Sequence, residues 1–243
     1  VAFAGIPADG FAFLRELAQE QNKPWFEANR QRYEAGLKQP CADLVVALSE
    51  ACARRDLPLR GDPKRSTFRL HRDVRFSKDK SPYKTHVGIV LMRPGAAKVP
   101  NGVLYVHVQP RDSFAGAAFY APEPPVLNAL RGAIRSRAAA WLALERDLSA
   151  HGLAFEDGDP LSRMPRGYED AADLPIAAAL RRRTHMIRLK LTQRELGQPE
   201  VVDRIAGFAE ASLPFLRFGW DAMEEAPATP ASRLDRFLPK RGA

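Results

Sequence analysis

The chain has 243 residues, 45% of them hydrophobic and 27% charged, which is enough apolar content for a sizeable core and too little polarity for disorder throughout. No run of about 18 apolar residues occurs, so no membrane span is expected, and the two cysteines exclude a disulfide scaffold or an all-cysteine metal site. The formal charge of +8 is concentrated. Arg54–Arg93 holds twelve basic residues against four acids, while the rest of the chain carries 25 of each sign, so the whole excess could face one anionic partner.

The opening VAFAGIPADG has no basic residue before its apolar stretch and is too short for a secretion signal. Asp9 as N-cap, followed by Phe13, Leu14 and Leu17, predicts a helix over Gly10–Glu20. Asn22 caps a second helix that carries Pro24 in its first turn and Phe26, Tyr33 and Leu37 on one face. Pro40 breaks that helix or starts the next. Cys41, Leu44, Val45, Leu48 and Cys52 then form a single buried stripe. At ~1.5 Å rise per residue the two thiols lie ~16 Å apart, too far to bridge. They read as apolar fillers, and a reducing, cytoplasmic setting fits them.

From Thr67 the period changes to two. Strands are predicted at Thr67–Arg72, with Phe68 and Leu70 on one side, and at Thr85–Met92, Val103–Gln109, Ser113–Tyr120 and, later, Thr184–Leu191. Short joints at Pro94-Gly95, Asn101-Gly102 and Pro110 favour antiparallel neighbours. Pro122 to about Asp147 returns to helical spacing, His151–Pro175 reads as loop, and Pro199–Phe218 as a last helix that Pro214 must end or kink. After Met223 the chain reads as a loose tail. The pattern is α+β: a single domain over 1–222, a mainly antiparallel sheet flanked by N-terminal and C-terminal helices, and a flexible tail over 223–243.

His71-Arg72-Asp73 mimics a kinase catalytic tripeptide, but Lys78 stands where that motif requires Asn, and no glycine-rich phosphate loop exists. The histidines at 71, 86, 107, 151 and 185 show no metal-ligand spacing, and neither His86 nor His107 has the Ser or Thr two residues on that a paired-histidine phosphoesterase needs. No metal and no organic cofactor is indicated. What remains is a register of cations and hydroxyls suited to phosphate or carboxylate oxygens. Arg69, Arg72, Arg75, Lys78, Lys80, Tyr83 and Lys84 are the candidate anion-binding residues, with Arg72, Arg75 and Lys84 converging on one anion near His86 and Tyr83.

The run Arg72-Asp73-Val74-Arg75-Phe76-Ser77-Lys78-Asp79-Lys80-Ser81-Pro82-Tyr83-Lys84 resembles the signature of the domain-of-unknown-function family 2461 (DUF2461). Trp25–Asn29, Tyr33, Tyr105–Pro110, Ser113–Gly116 and Pro165–Tyr168 are similar too, and the resemblance spans roughly Phe11–Trp220. It implies a single α+β domain and carries no assigned activity. This chain departs from the family at His71, where Tyr is frequent, at Gln109, where Glu is usual, and at Arg111, where Gly is common. No acid–base role is therefore assigned to position 109.

Three accounts of the basic segment stay open. It is a binding module for an anionic small molecule or nucleic acid, with Phe76, Tyr83 and Tyr105 available to stack on bases. It belongs to an enzyme acting on a phosphorylated or carboxylated small molecule, with His86 or His107 moving protons and Asp73 orienting one of them. Or Asp73 and Asp79 neutralise their neighbours in a purely structural ion-pair network. A concave site of a few hundred Å³ favours a small ligand, whereas a long convex basic stripe favours nucleic acid. Oligomeric state is not readable from the sequence.

Overall fold

The apolar stripes of the N-terminal third fold into helices α1 (Ala8–Gln19), α2 (Lys23–Ala28), α3 (Arg30–Tyr33) and α4 (Gln39–Arg54), with a π-helical turn at Glu34–Lys38 joining the last two. This computed structural model describes residues 3–72, 79–95 and 101–225. Asn22 caps α2 as its sequence predicts, its side chain accepting from the Trp25 N–H at 2.9 Å. Cys41 and Cys52 are buried along α4 as free thiols, and burial pushes the Cys41 thiol up to about 12.

Four strands follow: β1 (Val87–Leu91), β2 (Val103–Val108), β3 (Ser113–Phe119) and β4 (His185–Leu191). They form one antiparallel sheet in the order β1-β2-β3-β4, with Ile89 opposite Val106, Val106 opposite Ala115 and Ala115 opposite Leu189. The fold is therefore α+β, as the alternation of hydrophobic residues implies. Because the side-chain period is two, this register places Ile89, Leu91, Leu104, Val106, Val108, Ala115, Ala117, Phe119 and Ile187 on one face, all of them in the core.

The predicted strand Thr67–Arg72 is corrected. It runs beside β1 through Phe68 N–H to Gly88 O (2.8 Å) and Val90 N–H to Ser66 O (2.9 Å), but only isolated bridges form, at Thr67–Ile89 and His71–Tyr83. Phe68 and Leu70 do not share a side either: Leu70 is in the core and Phe68 is exposed on the other face. A register that sends two residues of equal parity to opposite environments cannot continue as a regular ladder.

Helices α5 (Pro124–Ser136) and α6 (Ala138–Ala150) split the predicted Pro122–Asp147 helix at Arg137. The short helices α7 (Ala177–Arg181) and α8 (Gln193–Leu196) were not expected, although α8 carries a readable capping box of Thr192 and Glu195. Helix α9 (Val201–Glu225) passes through Pro214. Proline in a helix interior costs ~3 kcal/mol. The turns beyond it bury Phe215, Leu216, Phe218 and Trp220, and several large side chains at ~1.5–3 kcal/mol each outweigh that cost. The helix packs on α4, α5, α6 and the core face of the sheet. No described helix is long and apolar enough to cross a membrane.

At the crossing of α1 with the π-helical turn two glycines meet. A Cβ added at Gly10 would land on the Gly36 carbonyl oxygen, whereas one added at Gly132 in α5 meets nothing closer than Tyr168 Oη at 4.0 Å. Gly10→Ala is expected to destabilise the fold by about 1–3 kcal/mol through overpacking. Gly132→Ala is expected to leave it unchanged or to add up to ~1 kcal/mol from helix propensity. Thermal or urea unfolding of the two variants checks both.

Candidate functional site

No described helix covers the second face of the sheet. The residues that alternate with the core positions are Gly88 and Val90 on β1, Val103, Tyr105 and His107 on β2, Phe114, Gly116 and Ala118 on β3, and Met186, Arg188 and Lys190 on β4. Polar residues would be expected on a solvated face. This one instead forms the floor of a cavity of about 500 Å³, with Phe68, Lys84 and His86 on one wall and Tyr120 and Met186 opposite. Phe68 and Tyr120 stand at its mouth, 46% and 72% exposed.

Stacked rings organise the floor. Phe114 lies directly across the β2–β3 pair from His107, and their rings stack at 4.9 Å with an interplanar angle of 10°. His86 stacks on the far side of His107 at 4.3 Å. The Arg188 guanidinium closes the other end, 3.7 Å from the Phe114 ring centroid, and is itself paired with Asp112 and Glu156. Tyr105 leans over Gly88, where a Cβ would lie 2.5 Å from its hydroxyl and 2.9 Å from the Phe68 ring, so glycine is what lets these rings close on the strand.

Hydrogen bonds set the state of His107. Its Nε2 is 2.9 Å from Gln109 Oε1, an acceptor, so Nε2 carries the proton. Nδ1 therefore accepts from the Tyr105 hydroxyl at 3.2 Å. Gln109 is held in turn by Ser113, whose Oγ donates to the Gln109 carbonyl at 2.6 Å and accepts from its N–H at 2.9 Å. Burial lowers the pKa of His107, and the Gln109 contact only partly opposes it. His86 is pushed down to about 4, first by burial and then by repulsion from His107, Lys84 and Arg72. Burial raises Tyr105 to about 12. The site thus presents neutral imidazoles and a protonated phenol near neutral pH. Lys84 is shifted down, by burial first and then by Arg72 and Arg69, and among the described residues no carboxylate lines the cavity.

The described candidate residues of the basic segment are brought together in part. Lys84, His86 and His107 share the cavity. Arg72 lies close enough for its charge to depress both Lys84 and His86, and it pairs with Asp79 at 2.7 Å. The chain does return on itself here, with Arg72 N–H bonding Pro82 O and Lys84 N–H bonding Leu70 O. Tyr83 turns the other way, buried and stacked at 4.5 Å on Phe26. Arg69 and Lys80 are exposed. Asp73, Arg75, Phe76 and Lys78 lie outside the described residues. Elsewhere in the basic window, Arg55 pairs with Asp203 and Glu210, and Arg93 with Glu224, all acids of α9. Phe114, Phe68, Tyr120 and Gly88 were not nominated as site residues from the sequence, and Gln109 was named there only as a departure from the family. Their signal was the outward parity of Tyr105, His107, Phe114 and Tyr120, aromatic where a solvated strand face is polar.

The family model described as "Conserved hypothetical protein (DUF2461)" matches residues 9–218. The chain belongs to the DUF2461 family. No curated protein and no solved structure matches it. Of the stretches that carry the resemblance to DUF2461, Tyr105–Pro110 supplies the cavity floor, and Trp25, Phe26 and Tyr33 build an aromatic cluster with Phe13 and Tyr83 on the opposite side of the sheet-edge segment.

Depressed imidazoles make stability fall in acid. Above an unfolded-state value of ~6.5 the rings are neutral in both states. Below it the unfolded chain takes protons that the fold refuses, down to about 4 for His86 and about 3 for the fully buried His185. The melting temperature is expected to drop steadily between those limits and more gently in His86→Asn. Gln109→Glu places a carboxylate on His107 Nε2 and should raise the pKa of that ring, read from its imidazole proton shifts against pH.

Proposed function

We propose that this protein is a small-molecule-binding module whose ligand has a flat apolar body and an acidic group. The observation that carries this reading is the pairing of a concave aromatic floor with a cationic corner. Phe114, His107 and Tyr105 offer apolar ring edges inside a cavity of about 500 Å³, and Lys84 stands on its wall with Arg72 close behind. A cavity of that size suits a small molecule better than a nucleic-acid strand. The rings supply sequence-independent apolar contact, and the cations fix which end of the ligand points toward the basic segment. Tyr105, held as a donor to His107, and the ring nitrogens of His86 add directional polar contacts.

Calorimetric titration with 3-phenylpropanoate and its neutral analogue 3-phenylpropanamide tests this. The acid should bind more tightly. Phe114→Ala should weaken both, because both lie against the apolar floor. Lys84→Met should cost only the acid, about fivefold or more, bringing it level with the amide. Failure of both compounds to bind, or equal loss of both in Lys84→Met with none in Phe114→Ala, would overturn the proposal.

A further inference from the structure

We infer that Lys84 is an imine-forming amine, and that the pocket takes small carbonyl compounds, foremost 2-oxo acids with an aryl or other flat apolar group. This rests on the pocket reading above and adds chemistry to it. Lys84 lines the cavity with its ammonium 5.6 Å from the Phe68 ring centroid. Among the described residues no carboxylate pairs with it. The groups that face it are Arg69 and Arg72 from the returning chain, His86 beside it, and Tyr105, His107 and Tyr120 around the cavity. None of these is an acid that would hold a proton on the amine. An amine in apolar surroundings beside other cations carries more free base than one in water, which activates a lysine toward carbonyls. Burial and the two arginines shift Lys84 in that direction.

The step needs no oxidant. The Nζ lone pair adds to the carbonyl carbon while the carbonyl π pair moves to oxygen. One proton passes from nitrogen to oxygen to give the carbinolamine, and a second proton, taken up from water, lets that oxygen leave as water while the nitrogen lone pair closes the C=N bond of the protonated imine. The neutral ring of His86, which lines the same cavity, would take the proton from nitrogen and return it to oxygen, and the Tyr105 hydroxyl is a donor on the same floor. The ligand's carboxylate would lie toward Arg72, whose Nε is buried without a partner among the described residues.

Incubate the full chain with phenylpyruvate and sodium cyanoborohydride at neutral pH, then map the reduced adduct by peptide mass spectrometry. Lys84 should be labelled at least about fivefold faster than the exposed Lys23 and Lys190, and its labelling should persist to lower pH than theirs. Lys84→Arg should lose the site-selective adduct while binding 3-phenylpropanoate within about threefold of wild type, because the cation is retained. An excess of 3-phenylpropanoate should protect Lys84. Binding of 3-phenylpropanoate with even labelling of all lysines would overturn the imine inference alone. Failure of 3-phenylpropanoate to bind would remove the pocket reading and this inference together.

Discussion

A four-stranded sheet has two faces, and in this protein helices cover one of them. Everything at the candidate site follows from how the other face is finished. A bare apolar face invites association, and a polar one would be an ordinary solvated surface. Here the exposed parity carries Tyr105, His107 and Phe114, side chains with a flat apolar body and, in two of the three, a polar edge. The rings are satisfied laterally by stacking across strands, so the face is ordered without a covering layer. Gly88 matters because the Tyr105 and Phe68 rings lie down into the space that a side chain would fill, and this closeness shapes the concavity.

Electrostatics sharpen the same picture. Taking water away from imidazole penalises its charged form, and the cations at the wall penalise it further. A carboxylate among these groups would reverse the effect, but among the described residues Asp79 pairs with Arg72 and Asp112 with Arg188, and the pull of Asp112 on His107 is smaller than that of burial. The surplus charge of Arg54–Arg93 is likewise reshaped by folding. Arg55 and Arg93 project onto α9 and meet acids more than a hundred residues away in sequence. What remains near the cavity is a small cationic corner, a feature suited to orienting one acidic group.

The strands were legible because alternation over five to seven residues has no helical counterpart, and β1 to β4 fall within the predicted segments. The continuity of α9 was not, because Pro214 is a strong local signal overruled by the burial of Phe215, Leu216 and Trp220, which only the assembled core reveals. Phe68 was misread for a related reason. Pairing it with Leu70 assumed a regular strand, and the local break that sends Phe68 to the cavity depends on the missing side chain of Gly88 across the bridge. Lys84, His86 and His107 could be nominated by residue type. That they share a cavity depends on which strand lies beside which, information that one sequence does not hold. Phe114 was invisible until β3 was paired with β2 in this register.

The segment Leu70–Lys84 ties the site to the core. Tyr83 and Lys84 are consecutive, and in extended chain consecutive side chains point opposite ways. Tyr83 is stacked on Phe26 inside the N-terminal aromatic cluster, and its N–H is bonded to Gln21 Oε1 at 3.1 Å. With that ring fixed, Lys84 has no choice but the cavity side, and the Lys84 N–H to Leu70 O bond holds it at one height along the wall. A slip of one residue would drive an ammonium against Phe26 and turn a large ring out to solvent, each a cost of several kcal/mol. The position of the Lys84 amine in the cavity is therefore set by aromatic packing on the opposite side of the same chain segment. Changes in that N-terminal cluster should be felt at the pocket although none of its residues lines it.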